Sequence, residues 1–266
     1  MTEPTVRLQD KKLFLFDMDG TLYLGDRLIP GAAELLSYIR ETGRRYLFVT
    51  NNSSRSRSDY VKKLERLGIP ATEEDFYTST DATILYLKEH HPGVAFYAMG
   101  TRSFVMQLQA EGIRVVPEEN ADGVLIANDT ELTFDKLAAV CRLLHRDIPY
   151  IATNPDTVCP TADGSVPDCG SFAEMLEHAT GKMPVVIGKP QPAMLLCAAE
   201  YAGVPVTDGL MIGDRLYTDI ASGVNAGMDT VFVLSGEGTL EQLAASPYRP
   251  TCVMQDVGEL LHRLRG

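Results

Sequence analysis

The sequence lacks any CxxC pair, and its five cysteines (Cys141, Cys159, Cys169, Cys197 and Cys252) are odd in number and widely spaced. That pattern argues against a disulfide framework and against a cysteine-held zinc, and reads as reduced thiols. Long apolar runs are also missing. The longest purely apolar stretch, residues 193–199, is far shorter than the ~20 residues a membrane-spanning helix needs. The opening residues MTEPTVRLQDKK do not run from basic to apolar as a secretion signal does, so the expectation is a cytoplasmic protein with no membrane partner. Positive charge is scarce too: 24 Lys and Arg against 36 Asp and Glu give a formal net charge of −12. A general attraction to nucleic acid or to an anionic surface is therefore not expected. An anionic small molecule stays open, because a metal ion or a few local cations reverse the field inside one cleft.

What is present is a normal complement of hydrophobic residues, 45% of the chain, arranged in short runs: LFLF (13–16), YLFV (46–49), VAFYAM (94–99), GVLIA (123–127), PYIA (149–152), PVVIG (184–188), GLMIG (209–213) and TVFVL (230–234). Between them lie stretches of helical periodicity at 32–43, 59–68, 134–144 and 192–203, several ending in Gly. Alternation of this kind predicts an α/β protein with a mainly parallel sheet. No heptad series, low-complexity linker or repeat divides the chain. The polar motifs gather in 13–55 and 184–220, however, and the roughly hundred residues between them are too long for a loop and suit an inserted second domain.

In an open parallel sheet, ligands bind beyond the carboxyl ends of the strands. Asp17 and Asp19 follow LFLF, Thr50, Asn51 and Asn52 end YLFVTNN, Lys189 follows VVIG, and Asp214 follows LMIG. Asp and Asn also make good turns and caps, yet four strands delivering complementary chemistry to one end is a pattern. Carboxylates at 17, 19 and 214 converging on one spot would repel, and a magnesium ion, which takes oxygen ligands sparingly from protein, resolves the conflict. Asp219, five residues after Asp214, suits a supporting role toward a ligand or Lys189. A calcium loop is excluded because its glycine and glutamate positions are Leu22 and Leu28; GxGxxG and GxxxxGK[ST] are both absent. The remaining chemistry is phosphoryl transfer to a carboxylate. Asp17 would attack phosphorus, Asp19 would protonate the leaving alkoxide and then activate water, and Thr50 and Lys189 would bind the phosphoryl oxygens with the metal.

DMDGTLY, VTNN, GKP and GDRLYTD, in that order, resemble the four motifs of the haloacid dehalogenase (HAD) superfamily. LGDRLIPGAAELL, TNPD and VLSGEGT look like the branch that contains 4-nitrophenylphosphatase and NagD-like phosphatases. The resemblance implies a Rossmann-like parallel-sheet core, residues 1–82 and 184–266, with an inserted α/β cap over 83–183 that sets specificity. It implies a magnesium-dependent phosphatase acting on a small phosphate ester such as a sugar phosphate, a nucleoside monophosphate, phosphoglycolate or 4-nitrophenyl phosphate. Asp17, Asp19 and Asp214 would hold the metal, Thr50, Asn51 and Lys189 the phosphate, and Asn154 and Asp156 of TNPD are the cap candidates for substrate contact. Asp19 separates this chain from dehalogenase-like members, which lack it. A phosphomutase is the rival, disfavoured because only about thirty residues separate Asp19 from Thr50, too few for the smaller helical cap placed there in mutases. A catalytically silent phosphate-ester-binding regulator is the other. A homodimer through the cap is left open. Cys159 and Cys169 read as small buried residues, and the five histidines as surface or packing residues.

Overall fold

A computed structural model describes residues 7–161 and 164–266. The chain forms two compact units, one made of Met1–Thr50, Val61–Tyr77 and Lys189–Gly266, the other of Asn51–Tyr60 and Thr78–Gly188. The helix Arg57–Arg66 straddles the division. Among the described residues no helix is long and apolar enough to cross a membrane.

The first unit is built on a six-stranded sheet in the order Cys252–Met254, Asp229–Val233, Gly209–Gly213, Leu13–Phe16, Arg45–Thr50, Phe76–Thr78, the last residue of which is counted with the other unit. The central strands LFLF and GLMIG are buried throughout, as unbroken apolar runs require when helices cover both faces of a parallel sheet. Phe16 pairs with Ile212 on one side and with Phe48 on the other, both parallel. The three strands end within two residues of that level, at Phe16, Gly213 and Thr50, with Asp17 immediately beyond the central one. The chain moves outward from Leu13–Phe16 in one direction through Arg45–Thr50 and in the other through Gly209–Gly213 and Asp229–Val233. The strand order therefore reverses beside Asp17, the crevice where open sheets of this kind receive ligands. The helix Pro192–Ala202 shows how local sequence sets an element: Pro192 opens it at a position with no hydrogen bond to lose, and Gly203 at φ 66° closes it in the left-handed region.

The second unit has its own five-stranded sheet, Val185–Val186, Tyr150–Ala152, Gly123–Ile126, Ala95–Met99, Arg114–Val115, parallel at every junction. Its core gathers Met99, Val124, Ile126, Val140, Leu143, Phe172 and Leu176. Caps define its helices. The side chains of Thr78 and Asp81 exchange bonds with each other's backbone N–H at the start of Ser79–His90, and Asp168 Oδ1 accepts from the Cys169 N–H at 2.6 Å to open Cys169–Thr180. An antiparallel hairpin, Val158–Thr161 with Gly164–Pro167, completes the unit.

Candidate active site

Three aspartates meet at the end of the central strands of the first unit. Asp17, Asp214 and Asp219 each bring a carboxylate oxygen within 4.8 Å of the others. The ammonium of Lys189, whose side chain is only 2% exposed, joins them: Nζ donates to Asp17 Oδ1 at 2.7 Å, to Asp219 Oδ1 at 2.7 Å and to the Val49 carbonyl at 3.0 Å. Asp219 is spent on this scaffold, because its Oδ2 accepts from the Arg215 N–H at 3.0 Å. Asp219 reaches inward from a stretch of π-helix, Leu216–Ile220, that runs into the helix Ala221–Ala226; such wide turns recur at functional positions. Gly213 supplies the room, since a Cβ there would stand 2.3 Å from that of Asp219.

Asp214 is 1% exposed. Its Oδ2 accepts from the Glu237 N–H at 2.7 Å, and its Oδ1 lies 3.3 Å from the Thr21 hydroxyl that donates to it. Gly20, at φ 89°, passes over it so closely that a Cβ would lie 2.4 Å from Asp214 Oδ2, which restricts that turn to glycine on both counts. Burial pushes the Asp17 carboxyl up to about 6, opposed by the Lys189 charge and reinforced by Asp219. Burial likewise carries Asp214 up to about 7, with the charges of Asp17 and Asp219 adding to it and the Glu237 N–H and Arg215 opposing. Lys189 behaves in the opposite sense. Burial disfavours its charge, but Asp17 and Asp219 outweigh that and hold its pKa above the ordinary lysine value. The cluster therefore carries more acid than its cations neutralise, and the acids respond by favouring protons.

Thr50 is buried at the last position of Arg45–Thr50, the strand next to Asp17. Asp19, grouped with the metal acids from sequence, follows Asp17 by two residues and makes an isolated bridge to Tyr23. Its carboxylate is 47% exposed and lies 3.9 Å from Lys63 Nζ, a lysine that also sits 4.0 Å from the centroid of the Tyr23 ring. Sequence reasoning passed over Lys63, which has no motif around it. Arg215 was equally unassigned although it adjoins Asp214, and residues 235–238, part of the VLSGEGT stretch, had no role.

Asn51, Asn154 and Asp156 belong to the second unit and are buried. The Asn51 carbonyl accepts from Ser79 Oγ at 2.7 Å and from Asn154 Nδ2 at 2.5 Å. Cys169 is fully buried and its thiol is pushed up to about 12 by burial, so it is an inert packing residue. Cys159 is half-buried instead.

Two family models match the chain. The haloacid dehalogenase-like hydrolase model covers residues 14–114, and a HAD-hydrolase-like model covers 186–260. An acid sugar phosphatase of Staphylococcus aureus is 34% identical over 97% of this chain and 99% of its own. The chain belongs to the haloacid dehalogenase-like hydrolases. Among solved structures, a 4-nitrophenylphosphatase from Thermotoga maritima superposes with a TM-score of 0.92 at 39% identity, covering 97% of this chain and 98% of that one. A glycerol phosphate phosphatase from Mycobacterium tuberculosis, solved in complex with calcium, superposes with a TM-score of 0.88 at 33% identity over 97% of this chain and 75% of that one. Fold and family thus agree with the sequence motifs, and this HAD hydrolase is a phosphatase.

Proposed function

We propose that this hydrolase is a magnesium-dependent phosphatase of small phosphate monoesters, sugar phosphates foremost, and that it works through an aspartyl-phosphate on Asp17. The observation that carries the reading is the bridge made by Lys189 between Asp17 and Asp219, 2.7 Å to each, beside a second buried acid, Asp214.

A divalent cation fits these residues. The donors are carboxylate oxygens alone, the chemistry that hard cations such as Mg²⁺ select. Asp17, Asp214 and Asp219 bring three carboxylates within 4.8 Å of one another around the single ammonium of Lys189, which pairs with Asp17 and Asp219. Asp17 and Asp214 would hold the ion, since both oxygens of Asp219 are occupied by Lys189 and the Arg215 N–H. When bound, the ion would offset charge on the phosphoryl oxygens and keep both carboxylates ionised at neutral pH.

The protein's own residues divide the remaining work. Lys189 fixes the Asp17 carboxylate by engaging Oδ1, which leaves Oδ2 directed to the attack on phosphorus. As the phosphoryl group leaves the ester oxygen for Asp17, the ammonium of Lys189 and the hydroxyl of Thr50 stabilise the oxygens that carry the charge. Asp19, exposed enough to exchange its proton, gives that proton to the departing alkoxide and then takes one from the water that cleaves the aspartyl-phosphate. Asp19 carries this proton transfer and stays, beside Asp17 and Asp214, a candidate to hold the metal. The second unit, with Asn51, Asn154 and Asp156, would act as the cap that selects the leaving group, in a cytoplasmic enzyme. Phosphate release from sugar phosphates, nucleoside monophosphates, phosphoglycolate and 4-nitrophenyl phosphate, each with Mg²⁺ and with chelator, tests the reading. Metal-dependent release supports it, and no release from any ester contradicts it.

A further inference from the structure

The loop that follows strand Asp229–Val233 touches Asp214 at more points than a connection between elements needs. The Glu237 N–H donates to Asp214 Oδ2 at 2.7 Å, and the Gly238 N–H donates to the Asp214 carbonyl at 3.1 Å. Ser235 Oγ donates to the Gly20 carbonyl at 2.7 Å, tying the same loop to the turn beyond Asp17. At 236 only glycine fits, because a Cβ would stand 2.0 Å from Asp214 Oδ2. The loop backbone and the direction of the Asp214 carboxylate are therefore set together.

The Glu237 side chain points the other way. Its Oε2 lies 2.9 Å from Arg215 Nε, and its Oε1 accepts from the Tyr217 hydroxyl at 3.4 Å. Both partners belong to the segment between Asp214 and Asp219, and the Arg215 N–H donates to Asp219 Oδ2. Glu237 thus grips Asp214 with its main chain and the next two odd positions with its side chain. Beyond the pair lies a cavity of about 320 Å³ lined by Tyr217, Gln242, Pro247 and Tyr248 among others, so close packing does not restrain Glu237 from that side. With the Glu237 side chain 40% exposed, such a pair adds little to stability. Its distinctive consequence is geometric.

We propose that the Glu237–Arg215 ion pair is a positioning clamp that presets the Asp214 carboxylate for a divalent cation. The inference rests on the assignment of the metal to Asp17 and Asp214. Contacts that orient a metal's ligand commonly contribute ~10–100-fold in metal affinity, and the partial exposure of this pair puts the expected effect at the lower end.

The test is calorimetric titration of the metal-stripped full-length protein with Mg²⁺ alone, for wild type, E237A, E237Q and the R215A/E237A double variant, beside thermal melts of the metal-free proteins. E237A should bind Mg²⁺ about 10-fold more weakly, while its metal-free melting temperature stays within about 2 °C of wild type. E237Q, which keeps an acceptor oxygen for Arg215, should recover part of the affinity. The double variant should be no weaker than E237A. In turnover, half-saturating Mg²⁺ should rise with the KM for ester at saturating Mg²⁺ unchanged. E237A affinity within about twofold of wild type would overturn the clamp and leave the metal assignment standing. A fall in metal-free stability that accompanies the affinity loss, with E237Q no better than E237A, would make Glu237 merely structural and also overturn it. A wild-type protein that takes up no Mg²⁺ would remove the metal assignment and the clamp with it.

Discussion

Lys189 is the centre of the site, and replacing it by alanine gives a change that can be sized. The substitution removes two charge-assisted bonds of 2.7 Å and a third of 3.0 Å to the Val49 carbonyl, all made by a side chain 2% exposed. It leaves Asp17 and Asp219 facing each other without their shared cation. Breaking a buried ion pair from one side costs about 3–5 kcal/mol, provided the orphaned acids stay charged. Asp17 has an escape, because it can take up a proton. Asp17 already stands at about 6 with Lys189 in place, and losing the ammonium sends it higher. Folded K189A therefore binds more protons than folded wild type, and its deficit grows with pH. At pH near 7.5 the metal-free variant should be less stable by about 3–5 kcal/mol, a fall in melting temperature of about 6–20 °C. Toward pH 5 the deficit should shrink by up to ~1.4 kcal/mol per pH unit for each proton taken up. Adding D219N to K189A should restore part of the loss by removing one orphaned charge. Denaturant unfolding of the three proteins at both pH values is the assay. A deficit at pH 7.5 below about 1 kcal/mol, or one equal at pH 5 and 7.5, would refute the argument that Lys189 holds two ionised acids.

Other outcomes follow from the same geometry. D17N removes the nucleophile while keeping the shape of the side chain, so turnover should fall by on the order of 10⁴-fold or more with the circular dichroism spectrum unchanged; activity near wild type would dismiss Asp17. D19A should lose about 10²–10⁴-fold with poor alkoxide leaving groups and much less, in the first chemical step, with 4-nitrophenolate; equal losses across leaving groups would deny Asp19 its acid role. Asp17 and Asp214 are raised to about 6 and about 7. Acids raised on folding weaken the metal-free fold as pH climbs from about 4 toward 7, and a cation that needs them ionised must displace their protons. The dissociation constant for Mg²⁺ should therefore drop by about 30- to 100-fold between pH 5.5 and 7.5, which titration of stripped protein at several pH values would show; a flat profile would contradict it.

Sequence was most informative where backbone and side chain obey one rule at once. LFLF, YLFV and GLMIG are buried parallel strands because unbroken apolar runs suit nothing else at that length, and the polar residues that follow them fall at one sheet end by parallel register alone. Asp17 and Asp214 could be named for that reason, whereas Lys189 follows VVIG, whose strand Val185–Val186 belongs to the second unit's sheet, so the expectation that four strands of one sheet deliver these residues holds for three. The edge strands Phe76–Thr78 and Cys252–Met254 are three residues each, too short to leave a periodic signal. Asp19 illustrates a different limit: the chain turns at Met18, whose carbonyl receives the N–H groups of Thr21 and Leu22, and the pairing of Asp19 with Lys63 cannot be read from the DMDG stretch. Lys63 and Glu237 act through distant contacts that no local motif announces. Asp219 was legible as a supporting residue, whereas the π-turn that aims it was not, because its pattern differs from an α-helix by a single inserted residue.

The most direct test of the central claim is a side-by-side phosphate-release assay of wild type and D17N on the ester panel, with Mg²⁺ and with chelator. The account predicts release by wild type that requires the metal and disappears in D17N. Release that persists in D17N or in chelator, or that fails for every ester, would contradict it.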